Sequence, residues 1–472
     1  MDYVVGSKWE QRGADSLKKR FKEMVTQVVK EENQYQAAFQ QLQQRTAASG
    51  EAWLGRLRES AMDRFEQLGF PSVKEEEWKY TNVAPISKLT SKPILGSIDA
   101  DALATSAKLA RFGYREAQGS ELVFLNGVLR NNLSSLASLP VGVVGIDLAE
   151  AIADAKYGEL IREHLARSAD YNANAFTALN TAFVSSGAFI LIRKGSELES
   201  PLHLNFVADP SDPDPANFPR VLIIAEENCR ATVIESYASI SDAAYFTNSV
   251  VEIVLKDGAS LEHYKVQRES VDAYHIATTS ADLGSSSSYD STTITFGAQL
   301  SRHDIHIRMA NEGAECWVDG LYVVSSDQHT DTHSVIDHQQ PHCTSHQLYK
   351  GILDGKSRAV FNGKIFVRHG AQKTDAMQTN KNLLLSNEAR VDTKPQLEIL
   401  ADDVKCSHGA AVGQIDEDEL FYLATRGIHP DLAKNLLTYG FAEEVIGKIK
   451  VDSIRAQLDE AVLNRINARL EA

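Results

Sequence analysis

Cysteine is scarce. The 472 residues contain four cysteines, Cys229, Cys316, Cys343 and Cys406, and the closest two, Cys316 and Cys343, stand 27 positions apart. No C-x-x-C occurs, which excludes a zinc ribbon, a thioredoxin motif, a ferredoxin-type run and a disulfide-stapled secreted domain. Long apolar runs are also lacking. The densest, Ala188–Ile192, is far shorter than the roughly 20 residues of a membrane span, and Met1–Lys30 shows no apolar signal segment. Basic residues are outnumbered: Lys and Arg total 48 against 64 Asp and Glu, a net charge of −16, which speaks against tracking nucleic-acid phosphates or anionic membrane surfaces. There is no P-loop, no strand-linked G-x-G-x-x-G and no G-x-S-x-G elbow. With 43% hydrophobic and 24% charged residues, the chain is expected to be a soluble, cytosolic, acidic protein of about three domains.

The apolar periodicity divides the chain into helical, β-rich and helical stretches. Leu17, Phe21, Met24, Val25, Val28 and Val29 recur at helical spacing. Trp53, Leu54, Leu57, Ala61, Phe65 and Leu68 form a second stripe that stops at Gly69. Leu122–Leu125 followed by Asn126-Gly127 reads as a strand entering a hairpin, and Ala173–Phe183 as a short helix. Between Gly187 and Gly413 the segments are β-type, with turns at Glu226–Ala231, Lys256–Ser260, Asn311–Glu315, Leu353–Ser357 and Ser386–Arg390 that resemble one another. Such corners suit a chain wound as a parallel β-helix, although their irregular spacing leaves a β-sandwich or jelly roll open. After Gly413 helices return. Asp416 with Glu419 makes a capping box, Pro430 opens a helix carrying Leu432, Leu436, Leu437, Phe441, Val445 and Ile449, and a last helix carries Ile454, Leu458, Val462, Ile466 and Leu470. The implied units are a mainly helical 1–120, a β core over 121–413 with a mixed entry over 121–186, and helices over 414–472. The terminal stripes either pack on the core or dock a partner.

Two constellations could carry chemistry. His303, His306, His329, His333, His338, His342 and His346 are interleaved with Asp304, Asp327, Asp331 and Asp337. Imidazole and carboxylate at this density make metal sites, so a metal-dependent β-helix enzyme built on 303–346 is one reading. Against it, no pair has H-E-x-x-H or zinc-finger spacing, and on a strand His329 and His333 lie more than about 10 Å apart. The other reading is polar ladders and turns on the outside of the coils. The second constellation is Lys405-Cys406-Ser407-His408-Gly409-Ala410. On a strand, Cys406 and His408 share a face about 6.5–7 Å apart. Thiolate and imidazole suit iron, zinc or an iron–sulfur cluster, yet two ligands complete no such site. Cys406 is otherwise a buried structural thiol.

Val404–Asp416, continuing through Leu420-Phe421-Tyr422-Leu423 and Arg426-Gly427-Ile428, closely resembles the C-terminal signature of the SufD subunits of the SUF iron–sulfur cluster assembly machinery. Gln378–Ser386, Asp392–Ile399 and Glu76–Thr81 are similar to other stretches of that family, the first two shared with its SufB branch. Ala411 stands where many members carry Thr. The resemblance implies a right-handed parallel β-helix core between N-terminal and C-terminal helical domains. It further implies a non-catalytic scaffold that pairs with SufB through the β-helix and docks the SufC ATPase through its C-terminal helices, with Leu432, Leu436, Leu437, Phe441 and Val445 as contacts. A transient iron–sulfur cluster shared with SufB would form at the interface, with His408, and Cys406 beside it, as this chain's ligands. The isolated chain would hold no cluster tightly. Whether it pairs with itself stays open.

Overall fold

The computed structural model describes residues 35–46, 51–89, 92–94, 109–210 and 215–471. The helix read over Leu17–Val29 lies outside the described residues. From Phe246 onward, successive strands alternate between two sheets. Phe246–Leu255, Tyr274–Leu283, Leu300–Met309, His329–His338, Arg358–Val367 and Arg390–Ile399 stack in the first sheet. Ser260–Arg268, Ser288–Thr295, Glu315–Val324, Thr344–Leu353, Asp375–Leu384 and Lys405–Gly413 stack in the second. Neighbours within each stack run parallel and in register. The core is a parallel β-helix of about eight turns.

The corners set this winding. Six successive passages from the first sheet to the second, from the one after Arg220–Ala225 to the one after Arg358–Val367, turn through one left-handed residue each: Asn228, Gly258, Ser286, Gly313, His342 and Lys373. The amide of each donates to a carbonyl one coil further on, as Asn228 does to Asp257 at 3.0 Å, Gly258 to Ser285 at 2.8 Å and Ser286 to Glu312 at 3.0 Å. Glycine and asparagine tolerate this conformation, whereas Ser286, His342 and Lys373 are held in it by the adjoining coils. The turns read at Glu226, Lys256 and Asn311 belong to this corner, and those at Leu353 and Ser386 to the opposite one. Mixing the two corners, and passing over the one at Ser286, made the spacing irregular.

Because neighbouring strands are in register, inward side chains stack in rows. One row is aliphatic: Ile253, Ala281, Ile307, Ile336 and Ile365, all buried. The interior of the second sheet mixes apolar residues such as Val233, Leu261 and Val318 with buried polar ones. Glu235 is hydrogen-bonded to His263 at 3.0 Å and accepts from Lys265 at 3.1 Å, and His263 meets the Tyr289 hydroxyl at 3.0 Å. Burial would raise the Glu235 carboxyl, but the Lys265 and His263 charges overcome it and hold the group far below the usual carboxylate range.

Helices close both ends of the chain onto this core. Ala52–Leu68 stops at Gly69, whose φ of 63° is left-handed, and packs with the helix over 35–46 and with Ala175–Ala182. Tyr35, Phe39, Phe65, Phe176 and Phe183 form an aromatic cluster against Phe218 and Phe246 of the coils. The hairpin at Asn126-Gly127 is present, pairing Glu121–Leu125 with Val128–Leu129. At the other end, Pro430–Ile446 and Asp452–Glu471 bury Ala442, Val445, Ile446, Ile454 and Leu458 against Ile234, Tyr264, Leu321 and Ile352 on the outside of the second sheet. Among the described residues no helix is long and apolar enough to cross a membrane.

Candidate functional site

Lys405–Gly413 is the last strand of the second sheet. One side pairs with Asp375–Leu384, and among the described residues no strand pairs with the other side, which forms an open edge. The register places Cys406 beside Ala376 and His408 beside Gln378. Ala376 and Gln378 are inward and buried, so Cys406 and His408 share the inward face at the uncovered end of the lumen. Cys406 is half-buried, packed with Ile365, Val367 and Ala376. Burial pushes its thiol up from the ordinary range, so a metal or a nearby cation would be needed to draw off its proton. His408 is exposed. The pair therefore offers one thiol and one imidazole on a strand beyond which no further strand lies among the described residues.

The remaining cysteines do not approach this end. Cys229, Cys316 and Cys343 are free and buried in earlier coils, and burial raises each thiol. Among the described residues no group of three or more His, Cys, Asp or Glu side chains is arranged to hold a metal ion. Among the described residues, Cys406 and His408 have no further donor set beside them that would complete a metal or cluster site.

The seven clustered histidines are dispersed by the pleat and the corners. His303 and His338 point inward, bonded to Thr279 at 2.9 Å and Ser345 at 2.8 Å. They are buried lumen residues rather than parts of an outer ladder. His306, His329 and His333 lie on the outer face of the first sheet, His346 stacks on Trp317 outside the second, and His342 occupies a corner. Alternation and winding send them to four surroundings, so the metal-dependent enzyme has no common site in 303–346.

The outer face of the first sheet instead receives the Glu76–Thr81 motif. Arg302 donates to the Glu77 carbonyl at 2.7 Å, and its guanidinium carbon lies over the Trp78 ring. Thr81 donates to Asp331 at 2.6 Å and meets His329 at 2.9 Å, and Lys394 reaches Glu76 at 2.8 Å. His333 stands between the Glu77 and Asp331 carboxylates, each at 3.1 Å. The motif is a clasp between the N-terminal segment and the coils. A cleft of about 650 Å³ opens beside it, but its cations are already paired, Arg308 to Asp282 at 2.6 Å and Arg368 to Asp337 at 2.9 Å.

The apolar stripe on the C-terminal helices is divided. Leu432 and Leu436 are about half exposed, Leu437 and Phe441 are partly covered, and Val445 is fully buried in the contact with the second sheet. Val445 is a core residue of the chain itself and is not available at its surface, a correction to the set of five. Phe421 and Tyr422, on a helix that buries none of its residues, are exposed by 71% and 56%. Helical spacing marks an apolar face without saying what covers it, so these two were not among the contacts read from the sequence.

The sequence as a whole has relatives. The family described as "SUF system FeS cluster assembly, SufBD core domain" matches residues 206–441, and the "SufBD protein N-terminal region" matches residues 29–204. The chain is 36% identical to an iron–sulfur cluster assembly SufBD family protein of Synechocystis, over 86% of this chain and 89% of that one. It is 33% identical to the iron–sulfur cluster assembly protein SufD of Escherichia coli, over 87% and 92%. It is 30% identical to the chloroplastic protein ABCI7 of Arabidopsis thaliana, over 86% and 84%.

Proposed function

Since the chain belongs to the SufBD family of iron–sulfur cluster assembly proteins, of the SufD type, we propose that it is a non-catalytic scaffold subunit that supplies part of a cluster-building site and leaves the rest to its partners. The observation that carries this reading is the half-complete ligand pair at an unpaired edge. Cys406 and His408 face the open end of the lumen, and no third ligand stands with them among the described residues. A cluster needs about four ligands. The exposed edges of Lys405–Gly413 and Arg390–Ile399 carry unpaired backbone groups that a second β-helix can extend, which suits pairing with SufB. The exposed Phe421, Tyr422, Leu432 and Leu436 offer a separate apolar surface suited to the SufC ATPase. The iron–sulfur cluster is cargo, formed at the junction and passed on, in the cytoplasm.

Reconstitution with ferrous iron and sulfide tests this. The isolated chain should retain neither after desalting, while the complex with SufB and SufC should retain both. A stoichiometric cluster on the isolated chain would overturn the shared-site reading.

A further inference from the structure

The Gln378–Ser386 stretch shows what lies directly beneath the candidate ligands. Its inward residues Gln378, Asn380 and Asn382 are buried, and they form a floor of amides under the row that holds Cys406, His408, Ala410 and Val412. Asn382 donates to Asn380 at 2.7 Å, and Asn380 donates to the Tyr349 carbonyl at 3.3 Å, so these two are satisfied within the floor. Gln378 is not. Its amide nitrogen donates to Gln347 Oε1 at 2.8 Å, and Gln347 in turn donates to Ser334 at 2.9 Å. Gln378 Oε1 is left buried with no partner.

A buried carbonyl oxygen without a hydrogen-bond partner is destabilising, so its persistence calls for a donor. Gln378 cannot swing across the lumen, because the opposite wall closes on its amide at Gly363, where even a Cβ would overlap Gln378 Nε2. The direction left to it is along the helix axis, toward the last strand. There the residue in register is His408, one strand spacing (about 4.8 Å) away and on the same face. A histidine that binds a metal through one ring nitrogen typically donates the other N–H to an oxygen acceptor, which sets its tautomer and ring orientation.

We propose that Gln378 is a positioning residue for His408, its Oε1 accepting the hydrogen bond from one imidazole N–H so that the other ring nitrogen is presented to the cargo at the open edge. The unpaired Gln378 Oε1 and its register with His408 stand on the geometry of this chain, while the purpose of the bond rests on the function proposed above.

The test uses the full-length chain with ¹⁵N-labelled histidine, as wild type, Gln378→Met and Gln378→Glu. Methionine keeps the length and removes the acceptor, while Gln347 Oε1 keeps its bond from Ser334 at 3.2 Å. Glutamate restores an acceptor, and Gln347 can turn its amide to donate to it. The His408 ring nitrogen resonances should move in Gln378→Met and stay with the wild type in Gln378→Glu, with all three chains melting alike. Identical resonances in all three would overturn the proposal. In the reconstituted complex, Gln378→Met should lower cluster yield about tenfold or more, and Gln378→Glu should recover it. If the resonances move but the yields do not, the hydrogen bond stands and the ligand role of His408 falls.

Discussion

The guanidinium carbon of Arg302 lies 3.8 Å from the centre of the Trp78 ring, while Arg302 is also paired to Asp304 and Asp331 at 2.8 Å each. Trp78 is 7% exposed and its ring packs on Phe176, so one side chain joins the N-terminal segment, a helix and a strand of the first sheet. Trp78→Ala removes this packing and the cation–π contact but leaves Arg302 its carboxylate partners. It should cost about 3–5 kcal/mol in urea denaturation, the range for a buried large aromatic. A loss under about 1 kcal/mol would show that the clasp lies outside the cooperative unit.

The same clasp should make stability depend on alkaline pH. Burial would lower the His333 imidazole, but the Asp331 charge and the hydrogen bonds to Asp331 and Glu77 outweigh it and raise the group to about 9. Its value in the unfolded chain is about 6.5. The stabilisation is therefore complete below about pH 6.5 and is lost as the pH rises through 9, a contribution of up to about 3 kcal/mol. His333→Gln should be destabilised at pH 6 and approach the wild type near pH 10. Parallel stability curves across that window would contradict the assignment.

Much of the fold is legible in the residues, and the failures have a physical pattern. Segments such as Arg220–Ala225 and Cys316–Val324 were readable because their inward or packed residues are aliphatic. In Tyr274–Leu283, His329–His338, Thr344–Leu353 and Asp375–Leu384 the β pattern is weaker, because their inward rows carry His275, Thr279, Thr330, Thr332, Ser334, Gln347, Gln378 and Asn380, and a polar lumen erases the apolar alternation. The corners at Ser286, His342 and Lys373 escaped because a side chain other than Gly or Asn holds the left-handed position. At the site, two-residue spacing put Cys406 and His408 on one face. What spacing alone could not supply was that this strand is the edge of its sheet, and that Gln378 lies under His408.

The division of the C-terminal stripe gives a sharper test of ATPase docking than truncation. Deleting 416–472 would uncover Ile234, Tyr264, Leu321 and Ile352 and should produce aggregation rather than a clean core. Phe421→Asp with Leu436→Glu alters only exposed positions. The double variant should melt within about 0.5 kcal/mol of the wild type and no longer retain the ATPase in a pull-down. Undiminished recovery would remove this surface from the interface. Val445→Asp, by contrast, should unfold the helical end.

Cys406 should be a slow nucleophile in the isolated chain. Its thiol is raised by burial, so alkylation at pH 8 should lag behind that of a free cysteine and catch up only at higher pH. Alkylation at pH 8 faster than a free thiol would mean that the strand end is not packed as described.

The central claim, that this chain contributes a ligand to a shared site, is tested most directly by His408→Ala. His408 is exposed, so its removal leaves the buried core in place. Iron and acid-labile sulfide are measured on the reconstituted complex containing either chain, with assembly of the complex and its melting checked in parallel. The proposed role predicts a complex of unchanged composition, destabilised by no more than the loss of one hydrogen bond (about 1–3 kcal/mol), that holds no cluster. A variant complex that incorporates iron and sulfide like the wild type would contradict it.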